Sequence, residues 1–387
     1  MKRAIATALV AATVGLVVAG CGGSAGPKTI KIGHLANVSG DAAPWGLAET
    51  NGAKLAVEEI NKAGGILGKQ IEYVVGDARG NATDGVNAVK KLIEQDKVVC
   101  VIGSNFSGIN IATGPICESL KVPQIGSFST NPKVTVDEKG NVRPYSFRIC
   151  FIDPYLGSVL ADYAVNKLGK KRAAVLYEVT SDYSVGVTEY FENKVKSLGG
   201  EVVAKQAFKT GDVEFRPQLS EIKQKNPEVL MLPLAMYKDI AIIAKQTREL
   251  GMNDVTIIGG DGYANAMLDM AGQELQGSFW VTHFSYEDPE MAKFLEKYVA
   301  KYGDKNPEVN AGMGYDLIYF VADCIKRAGK AEGPAIRDAI ESAKDVKLTH
   351  ATITMDPKTH NPLNKSAAVL KVEGKEIRWV ETYAPMK

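Results

Sequence analysis

From Thr29 onward, short runs rich in β-branched residues alternate with segments of helical period. The run IKIGHLA at 30–36 precedes a helical segment over 46–62, and IEYVVGD at 71–77 precedes one over 83–95. VVCVIGS at 98–104 precedes a third over 108–120, and VPQIGS at 122–127 follows. Strands separated by helices of this length predict βαβ units, hence a parallel sheet with right-handed crossovers. After Tyr145 the pattern restarts. Runs at 172–178, 201–208, 228–234 and 255–260 begin 29, 27 and 27 residues apart with helical segments between them, which predicts a second parallel sheet. Beyond it come a strand over 278–282, helices over 289–302, 310–328 and 334–343, and the late strands ATITM, AAVLKV and EIRWVE.

Those trailing elements are too few for a third domain, but they complete two lobes if the chain crosses between them more than once. The expected class is α/β, with two doubly wound parallel-sheet lobes joined by three crossovers near 149–154, 282–289 and 357–365. Lobe 1 then takes 29–150 and 285–362, and lobe 2 takes 151–284 and 363–387. Lobes tied by several short segments cannot rotate freely, yet they can hinge.

The segment before Thr29 follows different rules. Lys2 and Arg3, an uncharged apolar stretch from Ala4 to Val18 and then small residues have the layout of a secretory signal, assigned to 1–20. Val18-Ala19-Gly20-Cys21 resembles a bacterial lipobox, in which Cys21 becomes the lipidated N-terminus and 21–28 a glycine-rich tether. A plain secretory signal with an incidental cysteine is the alternative. The mature chain is therefore expected outside the cytoplasm, anchored to a bacterial membrane and monomeric. No later segment reaches the roughly 20 apolar residues that span a bilayer.

Composition removes several function classes. Lys and Arg total 46 against 45 Asp and Glu, a balance without the clustered positive charge that nucleic acid demands. Cys100, Cys117, Cys150 and Cys324 permit three complete disulfide pairings that the sequence does not rank, while Cys100 and Cys324 also suit buried thiols. No cysteine pair at metal-site spacing and no HExxH occurs, so neither metal nor cofactor is expected. GxGxxG after a strand, GxxxxGK[ST] and GxSxG are also missing, which argues against an enzyme.

In open parallel sheets, ligands bind where loops follow the carboxyl ends of strands. Here these loops are polar and aromatic. Ser107 at the start of a helix suits a carboxylate, as it suits a plain helix cap, and Thr130 offers a second hydroxyl or simply forms a turn. Asp261, between Gly260 and Gly262, suits an ammonium or a tight turn; Tyr183 reaches in from the other lobe or packs on the surface. Trp45 and Phe106 wall an apolar side chain, or cover a core. Taken together they ask for a dipolar, apolar amino acid.

The mature chain resembles the leucine/isoleucine/valine-type periplasmic binding proteins, the type I solute-binding components of branched-chain amino acid ABC transporters. The resemblance rests on IKIGHLANVSGDAAPWG, AVEEINKAGGILGKQIE, VIGSNFSG, VPQIGSFSTNP, LYEVTSDYSVG and IIGGDGYAN in this order. It implies a type I periplasmic binding fold, a membrane permease as partner, and capture of an amino acid by hinge closure. By that similarity Ser107, Ser129 and Thr130 with the main chain at Phe128 meet the carboxylate, and Asp261 meets the ammonium. Tyr183 supplies a hydroxyl, and Trp45, Phe106, Met236 and Tyr263 complete the pocket. Met236 stands where the leucine-type binder has Tyr, which leaves side-chain preference open. Binders of amides, urea or aromatic carboxylates, and sensory ligand-binding modules, are the alternatives.

Overall fold

The computed structural model describes residues 28–363 and 365–384. The expected leader 1–20, Cys21 and the tether up to residue 27 lie outside the described residues. The first sheet holds β1 (Thr29–Ala36), β2 (Gln70–Asp77), β3 (Cys100–Gly103), β4 (Gln124–Gly126) and β5 (Ser146–Arg148), all parallel, in the order β2-β1-β3-β4-β5. Its early connections are α1 (Ala43–Lys62), α2 (Ala82–Lys90) and α3 (Ser107–Ser119). Pro44 sits in the first turn of α1, where its missing N–H would have had no helical partner. At α2, Asn81 caps the helix by accepting the N–H of Asp84.

After β5 the chain crosses to the second sheet. There α4 (Asp153–Asp162), β6 (Arg172–Glu178), α5 (Asp182–Ser197), β7 (Glu201–Phe208), α6 (Arg216–Gln224), β8 (Val229–Leu232), α7 (Tyr237–Glu249), β9 (Thr256–Gly259), α8 (Ala266–Ala271) and β10 (Phe279–Thr282) follow in turn. It then returns as α9 (Ala292–Tyr302), α10 (Asn310–Ala328) and α11 (Gly333–Glu341), with a ribbon of β11 (Val346–Lys347) and β12 (Thr352–Ile353). A last crossing delivers β13 (Ala367–Glu373) and β14 (Glu376–Tyr383), giving seven strands in the order β14-β13-β10-β9-β8-β6-β7. The two late strands run antiparallel along one edge, where one face of β14 stays wet.

The period of two explains how the second sheet buries both faces. Leu176, Leu230, Ile257 and Trp280 join one core cluster, while their neighbours Val175, Met231, Ile258 and Val281 join the cluster on the opposite face. On the first sheet, α10 returns to the core: Ile318, Phe320 and Val321 pack with Ile32, Ile102 and Phe147. That return needs glycine. A Cβ on Gly52 of α1 would stand 1.8 Å from the carbonyl oxygen of Ala311, and one on Gly314 of α10 would stand 2.1 Å from that of Glu49. The Gly312-Met313-Gly314 run is thus part of a helix crossing.

Three expectations change. SFR at 146–148 forms a fifth strand that three residues of pattern did not announce, and ATITM joins the short ribbon instead of a main sheet. No disulfide is left to rank: Cys100, Cys117, Cys150 and Cys324 are four separate, buried thiols. Burial pushes Cys117, Cys150 and Cys324 up to about 12, so they stay protonated and inert.

Gly52→Ala is expected to destabilise the chain by about 3 kcal/mol, since a backbone carbonyl cannot yield as a side-chain tip can. Urea unfolding measures this; a loss below about 0.5 kcal/mol would mean that α1 and α10 can separate at no cost.

Candidate functional site

The carboxyl ends of both sheets face one cleft, and it encloses a cavity of about 680 Å³. From the first sheet, α1 brings Trp45, the β3–α3 connection brings Asn105, Phe106 and Ser107, and the turn after β4 brings Phe128. From the second, the first turn of α5 brings Tyr183, the β8–α7 connection Met236, and the β9–α8 connection Asp261. Seven of the residues singled out from the sequence, Trp45, Phe106, Ser107, Phe128, Tyr183, Met236 and Asp261, therefore line one cavity.

Ser129, Thr130 and Tyr263 do not line it. Ser129 is spent on loop structure, its hydroxyl donating to the carbonyl of Ser104 at 2.6 Å and accepting from Nδ2 of Asn110 at 2.7 Å. Thr130 is fully buried behind the wall, beside Asp153. Tyr263 turns its phenol into the second lobe's core and offers the cleft only its carbonyl, which accepts from Nε1 of Trp45 at 3.0 Å. Ser107 is the first residue of α3 and not its cap; Phe106 holds the cap position without a side-chain bond. The Ser107 hydroxyl accepts the N–H of Asn131 at 3.2 Å.

Trp45 does more than wall the cavity. Only 4% exposed, it meets Phe106 edge-on at 6.1 Å and Tyr237 at 5.3 Å, so one indole packs against both lobes. Further bridges tie the cleft: Nδ2 of Asn131 donates to the carbonyl of Asp182 at 2.7 Å, Lys238 pairs with Asp41, and the N–H of Asn265 donates to Oε1 of Glu308 at 2.8 Å.

Four residues that the sequence reading did not select complete the surroundings. Asn105 lines the cavity and donates to Oε2 of the buried Glu49 at 2.6 Å. Arg148, fully buried in β5, donates to the carbonyls of Ser129 at 2.6 Å and Asn131 at 2.8 Å, which fastens the loop behind Phe128. Asp153 opens α4, and burial pushes its carboxyl up to about 8 against the lowering effect of Thr130 and Arg148. His283 lies against the Asp261 carboxylate, Nε2 to Oδ2 3.3 Å. The signal for all four was their place at strand ends or in the crossovers; burial of a charge is a tertiary fact that a single chain does not print.

At Asp261 the side chain is 5% exposed, and no Lys or Arg pairs with it among the described residues. Tyr183 approaches the same strand end so closely that a Cβ on Gly260 would stand 2.3 Å from its hydroxyl. Burial first and then Asp261 push the Tyr183 phenol well above its ordinary range, so it is a hydroxyl and not a phenolate. Farther out the cavity is acidic: Thr180 donates to Oε1 of Glu178 at 3.1 Å, and burial with Glu178 and Asp41 nearby pushes Asp239 up to about 6. No grouping of His, Cys, Asp and Glu suited to a metal occurs among the described residues.

The family profile described as "Periplasmic binding protein" matches residues 29–376. The chain is 27% identical over 351 residues to the Leu/Ile/Val-binding protein BraC3 of Rhizobium johnstonii, covering 90% of this chain and 93% of that one. The leucine binding protein LivK of Thermotoga maritima superposes with a TM-score of 0.85 at 32% identity, covering 92% of this chain and 99% of that one. LivJ of Streptococcus pneumoniae, solved in complex with isoleucine, superposes with a TM-score of 0.84 at 31% identity, covering 92% and 100%.

Burial of the Asp153 carboxyl gives a test of the site. This group keeps a proton in the folded chain between the ordinary 3.8 and about 8, whereas the unfolded chain has lost it. Stability therefore falls as pH rises through that interval. Glu308, pushed up to about 8 by burial, contributes with the same sign. Asp153→Asn should shrink the loss of unfolding free energy between about pH 5 and about pH 8 by more than about 1 kcal/mol in chemical denaturation. An unchanged slope would mean that Asp153 is ionised in the fold.

Proposed function

As a member of the periplasmic binding protein family, and within it of the solute-binding proteins of branched-chain amino acid ABC transporters, the chain works outside the cytoplasm; we propose that it captures an apolar, branched-chain amino acid between its lobes and delivers it to a membrane permease. Members of this family bind solutes without transforming them. The observation that carries the reading is Asp261, 5% exposed and without a Lys or Arg partner among the described residues, in a cavity that Trp45, Phe106 and Phe128 also line. Burying a charge is costly unless it is paired, and an α-ammonium supplies the pair.

In this reading the N-terminal turn of α3, with Ser107 and the amides around it, holds the α-carboxylate through unpaired N–H groups and the positive end of the helix dipole. Tyr183 donates its hydroxyl from the other lobe. Trp45, Phe106, Phe128 and Met236 enclose the side chain. Carboxylate and ammonium are then met by groups from different lobes, so the ligand gains its full set of contacts only when the cleft is shut, and this differential favours closure. In this reading the crossing segments near 149–154, 282–289 and 357–365 form the hinge between lobe 1 (29–150 and 285–362) and lobe 2 (151–284 and 363–387). Cys21, if lipidated, tethers the chain close to its permease.

A melting screen separates this ligand class from the alternatives: leucine, isoleucine or valine should raise the transition, and benzoate, amides and urea should not. Stabilisation by an aromatic carboxylate alone would replace the amino acid reading. Asp261→Asn should weaken leucine binding by about 2 to 5 kcal/mol in calorimetry, because one partner of a desolvated pair is lost. Unchanged affinity removes the ammonium role. Cys21→Ser should release the chain from the membrane fraction of a bacterial host; retention there would discard the lipid anchor.

A further inference from the structure

His283 directly follows β10, where the chain leaves the second sheet for the first. Its ring is clamped. It packs on Phe151 of the first crossover with centroids 3.9 Å apart, and meets Phe128 of the cavity wall edge-on at 4.7 Å. Inside that clamp Nε2 lies 3.3 Å from Oδ2 of Asp261, and neither imidazole nitrogen, nor Oδ2, has a hydrogen-bond partner among the described residues. An imidazole with both nitrogens open in a dry place carries a cost that packing alone does not justify. Among the described residues, the acid in ion-pair reach of it is the one proposed for the ligand's ammonium.

We propose that His283 is a positioning residue of this site: its neutral ring donates from Nε2 to Oδ2 of Asp261 and so aims the other carboxylate oxygen at the bound ammonium. The inference rests on the ammonium role of Asp261. Burial holds the His283 ring down at about 4, with Lys365 and His350 acting in the same direction and Asp261 against them, so it is uncharged near neutral pH and does not compete with the ligand as a cation. The tautomer with its proton on Nε2 is the one that serves. Because the ring is held by the first crossover and itself begins the second, the acid's aim is coupled to how the two crossing segments sit relative to each other. A shift of either during hinging moves the donor, and through it the carboxylate.

Two substitutions give opposite expectations for positioning and for packing. His283→Gln keeps an N–H donor and loses the ring; His283→Phe keeps a ring between Phe128 and Phe151 and loses the donor. With L-leucine in calorimetry, the Gln variant should bind within about threefold of the unsubstituted chain, and the Phe variant should be weaker by about tenfold or more, the worth of a hydrogen bond to a charged group. The reverse order, or equal behaviour of the two, overturns the proposal and leaves the ring as packing. Should either variant not fold, nitrogen NMR of the unsubstituted chain decides: the Nε2 signal of His283 must move on adding leucine, and a stationary signal overturns it. If the unsubstituted chain binds no amino acid, the ammonium role itself fails and this inference fails with it. Leucine binding with the Phe variant as tight as the Gln variant defeats the inference alone.

Discussion

Asp261 brings a carboxyl group into a place where water barely reaches, 5% exposed, and the proposed function turns on how that group is answered. A carboxylate so placed is tolerable only if something brings a positive charge to it or if neighbouring dipoles share the burden. The second sheet fixes the acid at the end of β9 between two glycines, the first sheet supplies the opposite wall and, in β5, Arg148, and the crossovers supply Asp153 and His283. In the proposed reading, the ligand is a small molecule with charges at two points, one for each lobe. That reading also explains why two sheets are used: one sheet offers its strand ends on one side only.

Much of the scaffold was legible because its signals are local. β6 and β7 span the residues that the hydrophobic pattern marks: β6 is a buried parallel strand that reads as an apolar run, while β7, at the sheet edge, keeps Glu201, Lys205 and Ala207 exposed. α10 likewise occupies 310–328, as its period predicts. β5 escaped because three residues cannot display a period, and ATITM reads as a strand yet pairs with β11 and, by one bridge at Met355, with Pro362 rather than with a main sheet. Nothing in a linear pattern says which partner a strand will meet.

The cavity was legible to the extent that loops after strands are its walls, which is why Trp45, Ser107, Tyr183, Met236 and Asp261 converge on it. The order of loops does not say which side chain of a turn points inward. Among neighbours in one turn, Phe128 lines the cavity while Ser129 and Thr130 are turned away, because Arg148 takes the carbonyls of Ser129 and Asn131 and so fixes the rotation of that loop. In the same way Asp261 faces inward and Tyr263 does not, because Tyr263 lends its carbonyl to Trp45 and its ring to the core. His283 and Arg148 look unremarkable in the sequence, as any histidine or arginine does. Their meaning comes from burial, which depends on where three distant segments of chain meet.

Trp45 occupies two equilibria at once. Its indole shapes the space around a ligand and is also plugged into the apolar interior of the opposite lobe. In the proposed hinge motion, opening has to pull that ring out of an apolar interior and into water, a resistance that exists before any solute arrives. If the lobes hinge as proposed, selectivity and the resting degree of openness are tied to this single side chain, and a change that reshapes the chamber for another guest also resets how often the door stands ajar.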